Sequence, residues 1–212
     1  MREPKIFLLI VIIDYNAGNI KSIQNMLKRI GVNALISNQQ EDIKNASKLI
    51  LPGVGHFDYG MNNLKQSGLI NLLKEKALID KIPFLGICLG AQMLGNKSDE
   101  GNEAGLGWID MDIVKFDLNK ANSTLKIPHM GWSDVEIIKG SELFKNMYEQ
   151  PRFYFVHSYH MLPKTETDIL CTTFYGYDFV SGVQQDNIYG VQFHPEKSHK
   201  YGMKMLENFS NL

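Results

Sequence analysis

Two short segments carry residues whose types and spacing suit covalent catalysis. Gly86-Ile87-Cys88-Leu89-Gly90 is a G-x-C-x-G pattern, the thiol counterpart of the G-x-S-x-G turn that lifts a nucleophile between a strand and a helix. Glycines on both sides of Cys88 remove side chains that would clash in so sharp a bend. A thiol held there gains thiolate character from the positive end of a following helix and from any neighbouring imidazolium. The pattern alone suits a buried structural cysteine equally well, since that is the commoner fate of a free thiol.

His194-Pro195-Glu196 provides what such a thiol needs. In extended backbone, residues i and i+2 project to one side, and Pro195 biases His194 towards extended geometry. A carboxylate can then hold the imidazole in one tautomer while the other ring nitrogen serves the nucleophile. By itself the tripeptide could be a surface turn; beside the cysteine elbow it points to a triad.

A third segment, Leu49 to Phe57, runs from an apolar strand into the loop Pro52-Gly53-Val54-Gly55. The loop lacks both the Lys-Ser/Thr ending of a phosphate loop and the G-x-G-x-x-G spacing. It can offer backbone N–H groups to a developing oxyanion, each worth about 3 kcal/mol in a preorganised site. A tight turn with positive φ explains it equally well in isolation. His129, His157, His160 and His199 show no metal-ligand spacing and read as ordinary polar or core residues. No metal and no cofactor is expected.

The elements that must position these groups follow from hydrophobic periodicity. Phe7–Asp14, Ala34–Ser37, Lys48–Leu51 and Pro83–Cys88 read as strands, and Gly18–Ile30 and Leu64–Ile79 as helices. Ile20, Ile23, Met26, Leu27 and Ile30 form the apolar face of the first helix. A short helix is expected over Leu89–Gly95. Apolar runs without alternation, interleaved with helices, indicate a parallel sheet covered on both faces. The second half is richer in strands, at Ile109–Phe116, Asp134–Ile138, Phe153–Tyr159, Ile169–Phe174, Phe179–Gln184 and Ile188–Phe193, before a helix over Lys200–Leu212. The reading is a single α/β domain over residues 1–212 with an antiparallel extension to a mostly parallel sheet.

Bulk composition narrows the partners. The 212 residues carry 44% hydrophobic and 21% charged side chains and a formal net charge of −1, as in an ordinary globular protein without the basic footprint of a nucleic-acid binder. Cys88 and Cys171 lie far apart and form no C-x-x-C pair, so a reducing, cytoplasmic setting is expected. The apolar run Ile6–Ile13 is followed by Asp14, Tyr15 and Asn16 in place of a small-residue cleavage site. It is also too short to span a bilayer, so no membrane partner is expected.

LPGVGHF, GICLG, PHMGW, FYFVHSY and VQFHPEKS occur here in one order, after the opening IDYNAGN. From Val11 onward this set resembles the glutaminase subunits of imidazole glycerol phosphate synthase, which are class I glutamine amidotransferases. The resemblance implies a flavodoxin-like three-layer sandwich and a catalytic triad of Cys88, His194 and Glu196. It implies oxyanion donors at Val54, Gly55 and Leu89, and glutamine contacts at Gln92, Ser158 and Tyr159. Asn19, Trp132, Tyr154 and Lys197 would meet a (β/α)₈-barrel cyclase in a heterodimer, into which ammonia is channelled for histidine biosynthesis. Residues 1–10 precede the start usual in that family and read either as an N-terminal extension or as the product of an upstream start codon.

Some details differ from the histidine-pathway pattern. Asn16 stands where glycine is usual, Ala91 where methionine is usual, and 95–100 where an apolar-then-acidic run is usual, while 107–110 and 197–202 look more like paralogues found with surface-polysaccharide or flagellin-glycan genes. The alternative is therefore a glutaminase feeding ammonia to amidination of a nucleotide-activated sugar. A stand-alone cysteine hydrolase of similar architecture, and a binding module that has lost catalysis, are further alternatives.

Overall fold

A computed structural model describes residues 9–117, 119 and 126–212. The first half alternates strand and helix: β1 (Ile10–Ile13), α1 (Ile20–Arg29), β2 (Ala34–Ser37), α2 (Gln40–Lys44), β3 (Lys48–Gly53), α3 (Phe57–Gln66), α4 (Ile70–Lys74), β4 (Phe84–Cys88) and α5 (Leu89–Gln92). The second half holds β5 (Lys97–Ser98), β6 (Met111–Lys115), β7 (His129–Asp134), β8 (Glu136–Ile137), β9 (Arg152–His157), β10 (Tyr159–Pro163), β11 (Ile169–Phe174), β12 (Asp178–Gln185), β13 (Ile188–Val191) and α6 (His199–Ser210).

β2, β1, β3, β4 and β13 lie side by side and parallel. The antiparallel extension begins where β12 joins β13 and continues through β10 and β6. β11 also pairs antiparallel with β12 and carries β8 on its other edge. β7 and β9 form a separate antiparallel ribbon. The expected mostly parallel sheet with an antiparallel extension is thus what the chain forms.

Alternate residues of the central strands feed two cores, as the period of two requires. Val11, Ile13, Leu49 and Leu51 pack on one face against Phe57, Met61, Leu64 and Leu73 of α3 and α4. Ile10, Ile12, Ile50 and Leu85 pack on the other against Ile23 and Leu27 of α1 and Met205, Leu206 and Phe209 of α6. Each such buried aliphatic side chain contributes about 1.5–3 kcal/mol of transfer free energy. The result is a three-layer sandwich.

Several expected boundaries change for local reasons. The helix expected over Leu64–Ile79 is two helices, because Gly68 turns the chain at φ +70° between α3 and α4. α3 starts earlier than expected because His56 caps it, its Nδ1 accepting from the Asp58 N–H at 3.2 Å. The Glu100 carboxylate accepts from the Phe57 N–H at 2.8 Å. The expected strand over Asp134–Ile138 is instead the end of β7 followed by β8, and Pro128-His129-Met130-Gly131-Trp132 is largely strand. His160, read as lying in polar surroundings, is buried against Phe116 and Phe179. Phe7 and Leu8 of the first expected strand lie outside the described residues. No helix among the described residues is long and apolar enough to cross a membrane.

Candidate active site

The carboxyl ends of β3, β4 and β13 converge on one cleft. Register places Gly53 opposite Cys88, while Val191 of β13 pairs with Ile87 and delivers His194 three residues further on. Ligands in open α/β sheets bind at this edge because the strand ends and loops leave backbone groups exposed there. The cleft holds about 320 Å³ and is lined by Val54, Gly55, Cys88, Leu89, Gln92, Glu100, Ser158, Tyr159 and His194, among others.

Cys88 ends β4 with φ 53° and ψ −113°, a backbone conformation that L-residues rarely adopt. The bend needs Gly90: a Cβ there would stand 1.9 Å from the Leu51 carbonyl oxygen. The helix behind the cysteine is only one turn long, so the expected support from its positive end is small. The charged neighbour of the thiol is His194.

His194 is buried, and its Nδ1 lies 2.8 Å from Glu196 Oε1, both side chains being 2% exposed. The main chain holds the pair in place. The His194 N–H donates to the Tyr154 carbonyl at 2.9 Å. The Ser198 hydroxyl donates to the His194 carbonyl at 2.6 Å and accepts from the Tyr154 N–H at 3.0 Å. Burial lowers the imidazole pKa, but Cys88 and Glu196 more than offset it and raise it to about 10. Its Nε2 is buried and makes no conventional hydrogen bond among the described residues, and Cys88 is the neighbour that raises the ring's pKa most. The sequence-expected Cys88, His194 and Glu196 are therefore brought together, with the carboxylate on Nδ1 and the thiol on the Nε2 side.

Val54, Gly55 and Leu89 line the same cleft beside Cys88, as do Gln92, Ser158 and Tyr159. Gly55 adopts φ +100°, and Val54 is 42% exposed, so this loop is an open rim of the cleft. Of the residues expected at a partner face, Trp132 and Tyr154 are cross-strand neighbours in the β7–β9 ribbon. Lys197 Nζ stands 5.5 Å from the Tyr154 ring centroid. Asn19 stands just before α1 without a side-chain bond to the helix backbone, its side chain accepting from the Ser22 hydroxyl at 2.8 Å. Trp132 also stacks on His199, with rings 4° from parallel.

Sequence reasoning missed four contributors. Gln192 is fully buried beside the thiol, and its position two residues before His194 was an available signal. Tyr15 bonds the Pro52 carbonyl under the loop, Glu100 brings a carboxylate to the cleft, and Ser198 locks the histidine turn. Tyr15 lies within IDYNAGN but far in sequence from the loop it supports, and Glu100 lies outside the motifs, so both roles become visible only in the fold. Among the described residues no group of His, Cys, Asp and Glu could hold a metal ion.

The model of the family described as glutamine amidotransferase class-I matches residues 11–211. The chain belongs to that family. It is similar to the imidazole glycerol phosphate synthase subunit HisH 2 of Pseudomonas aeruginosa, 52% identical over 204 residues, covering 96% of this chain and 100% of that one. The corresponding HisH 2 subunit of Methanococcus maripaludis is 54% identical over 201 residues, covering 95% and 98%. Among solved structures, PurLQS from Thermotoga maritima shares the fold at a TM-score of 0.72 and 18% identity, covering 96% and 97%. A glutamine amidotransferase from Thermotoga maritima does so at 0.63 and 18%, covering 96% and 83%. As a class-I glutamine amidotransferase, the chain is an enzyme.

Proposed function

We propose that this amidotransferase is the glutaminase subunit of an imidazole glycerol phosphate synthase, hydrolysing glutamine to glutamate and ammonia. The carrying observation is the cleft in which a buried His194–Glu196 pair meets a cysteine held at an elbow, rimmed by the Gly53–Gly55 loop. High identity to synthase subunits over nearly their whole length supports the histidine-pathway role over sugar amidination.

The chemistry follows from the geometry. Cys88 as thiolate attacks the side-chain amide carbon of glutamine. Backbone N–H groups of Val54, Gly55 and Leu89 receive the developing oxyanion. His194, held as imidazolium by Glu196, gives its Nε2 proton to the departing nitrogen, so ammonia leaves and a thioester remains. Neutral His194 then takes a proton from water, whose oxygen attacks the thioester. The tetrahedral adduct expels Cys88 as thiolate while the proton from water stays on His194, restoring the imidazolium, and the new carboxylic acid ionises to glutamate. Gln92, Ser158 and Tyr159 hold the substrate's far end, and the Glu100 carboxylate in the same cleft suits its α-ammonium.

Ammonia released into water at neutral pH is protonated and loses its nucleophilicity, so a protected route to an acceptor serves the reaction. The partner is a (β/α)₈-barrel cyclase bound on the face carrying Asn19, Trp132, Tyr154 and Lys197. Together the two proteins form imidazole glycerol phosphate and AICAR in the cytoplasm. Purified chain is assayed with the cyclase and its nucleotide substrate, with glutamine as the only nitrogen source. Glutamine-dependent formation of imidazole glycerol phosphate is expected. Product formed with ammonium salts but never with glutamine would overturn the assignment.

A further inference from the structure

Gln192 lies just after β13, two residues before His194, and is completely buried. Its Nε2 is 3.7 Å from Cys88 Sγ in hydrogen-bonding geometry, and its Oε1 accepts from Gln92 Nε2 at 3.0 Å. Gln92 Nε2 also donates to the Tyr159 carbonyl at 3.2 Å. This last contact fixes the sense of the whole chain, because a carbonyl can only accept. Gln92 must turn its NH₂ to Tyr159. The second proton of that NH₂ then requires an acceptor on Gln192, and Gln192 has only its own NH₂ left to offer the sulfur.

The Tyr159 carbonyl is itself held from the far side. His157 Nδ1 donates to it at 2.7 Å. His157 Nε2 is 3.1 Å from His129 Nδ1, and His129 Nε2 is 2.9 Å from the Ser133 hydroxyl. With both rings neutral, only one set of tautomers satisfies all three contacts: Ser133 donates to His129, His129 to His157, and His157 to the carbonyl. Burial favours the neutral state, lowering His129 to about 4 and His157 well below the usual histidine range. The amide that faces the nucleophile is thus oriented by a continuous chain of hydrogen bonds running from half-buried Ser133 to fully buried Gln192.

We propose that Gln192 is a further catalytic residue, a fixed amide donor to the Cys88 sulfur. This rests on the reading of Cys88 as the nucleophile. Donation to sulfur favours thiolate over thiol before attack, and it favours departure of the same sulfur when water breaks the thioester. The imidazolium of His194 does the first of these only while it is charged. Gln192 keeps its donor throughout the cycle, including the step in which His194 has given up its proton. The titratable groups around the sulfur are His194 and Tyr15, with Glu196 behind His194 and Glu100 and His157 lining the same cleft.

The test is the pH profile of Cys88 alkylation by iodoacetamide, with the modified residue located by mass spectrometry. Cys171 is fully buried and its thiol is pushed up to about 12, so it does not confuse the readout. Gln192→Met, close in volume and without a donor, should move the profile up by about one pH unit and slow alkylation about tenfold on its acid side. It should lower kcat and leave KM for glutamine nearly unchanged. Gln192→Glu, which replaces the donor by a charged acceptor, should move the profile at least as far, and it decides the matter if Gln192→Met does not fold. Folded variants with the wild-type profile would overturn the proposal. Wild-type protein that is not alkylated at Cys88 would instead overturn the nucleophile assignment beneath it.

Discussion

The hydroxyl of Tyr15 donates a 2.6 Å hydrogen bond to the Pro52 carbonyl, tying the segment after β1 to the strand end from which the Gly53–Gly55 loop departs. Tyr15 is fully buried, and both burial and the charge of Cys88 raise its pKa, so the phenol stays protonated and keeps donating. A Cβ on Gly53 would stand 2.6 Å from this hydroxyl, so the two residues fit only as a pair.

Tyr15→Phe should therefore cost about 1–2 kcal/mol of stability, because the Pro52 carbonyl is left buried without its donor. It should also lower kcat for glutamine more than it changes KM, since the loop it anchors serves the transition state. Urea unfolding and steady-state glutamate release check both parts. Unchanged turnover would remove Tyr15 from any role in holding the loop.

Glu196→Gln keeps the shape of the side chain but not its charge. The amide cannot stabilise an imidazolium and can select the wrong tautomer, so kcat should fall about 10²–10⁴-fold with the fold intact. Alkylation of Cys88 by a glutamine-like chloroketone should slow in parallel. Wild-type rates in both assays would exclude the carboxylate from the triad.

Acid stability should report on the buried histidine pair. His129 has its pKa lowered to about 4 by burial, below the unfolded value near 6.5. Between those values the unfolded chain binds the extra proton, so stability falls as pH drops from about 6.5 to about 4. The loss from His129 alone is about 2 kcal/mol after allowance for partial screening. His194 has the opposite sign: raised to about 10, it contributes stability that is full below about 6.5 and is lost as pH rises towards 10. Urea titrations of His129→Gln at pH 7 and pH 5 should show a smaller acid loss than wild type. An identical loss would place the acid sensitivity elsewhere.

Much of this arrangement was legible in the sequence because it depends on local chemistry. The elbow around Cys88 is set by neighbours along the chain; His194 does meet Glu196, but across a 3-10 turn over Pro195–Lys197 and not along the extended backbone expected. The four-residue strand Ala34–Ser37 and the strand Ile169–Phe174 end where their apolar patterns end. The Gly68 break between α3 and α4 was missed because helical periodicity runs on both sides of it. The early start of α3 was missed because it is fixed partly by Glu100, a residue 43 positions away. The buried chain from Ser133 to Gln192 was invisible for the same reason. Its members sit on four separate stretches of sequence; Gln92 and Tyr159 were expected only as glutamine contacts, Gln192 carried a signal only in its nearness to His194, and nothing local links the rest to the thiol.

The chemistry of this cleft rests on attack of Cys88 on the glutamine side chain. Cys88→Ala and wild type are compared in the complex with the cyclase, measuring glutamate released from glutamine and product formed from ammonium salts. Removal of a triad nucleophile costs several orders of magnitude, so Cys88→Ala should release no measurable glutamate while the cyclase still makes product from ammonium. Glutamate release by Cys88→Ala at a rate near wild type would contradict the account.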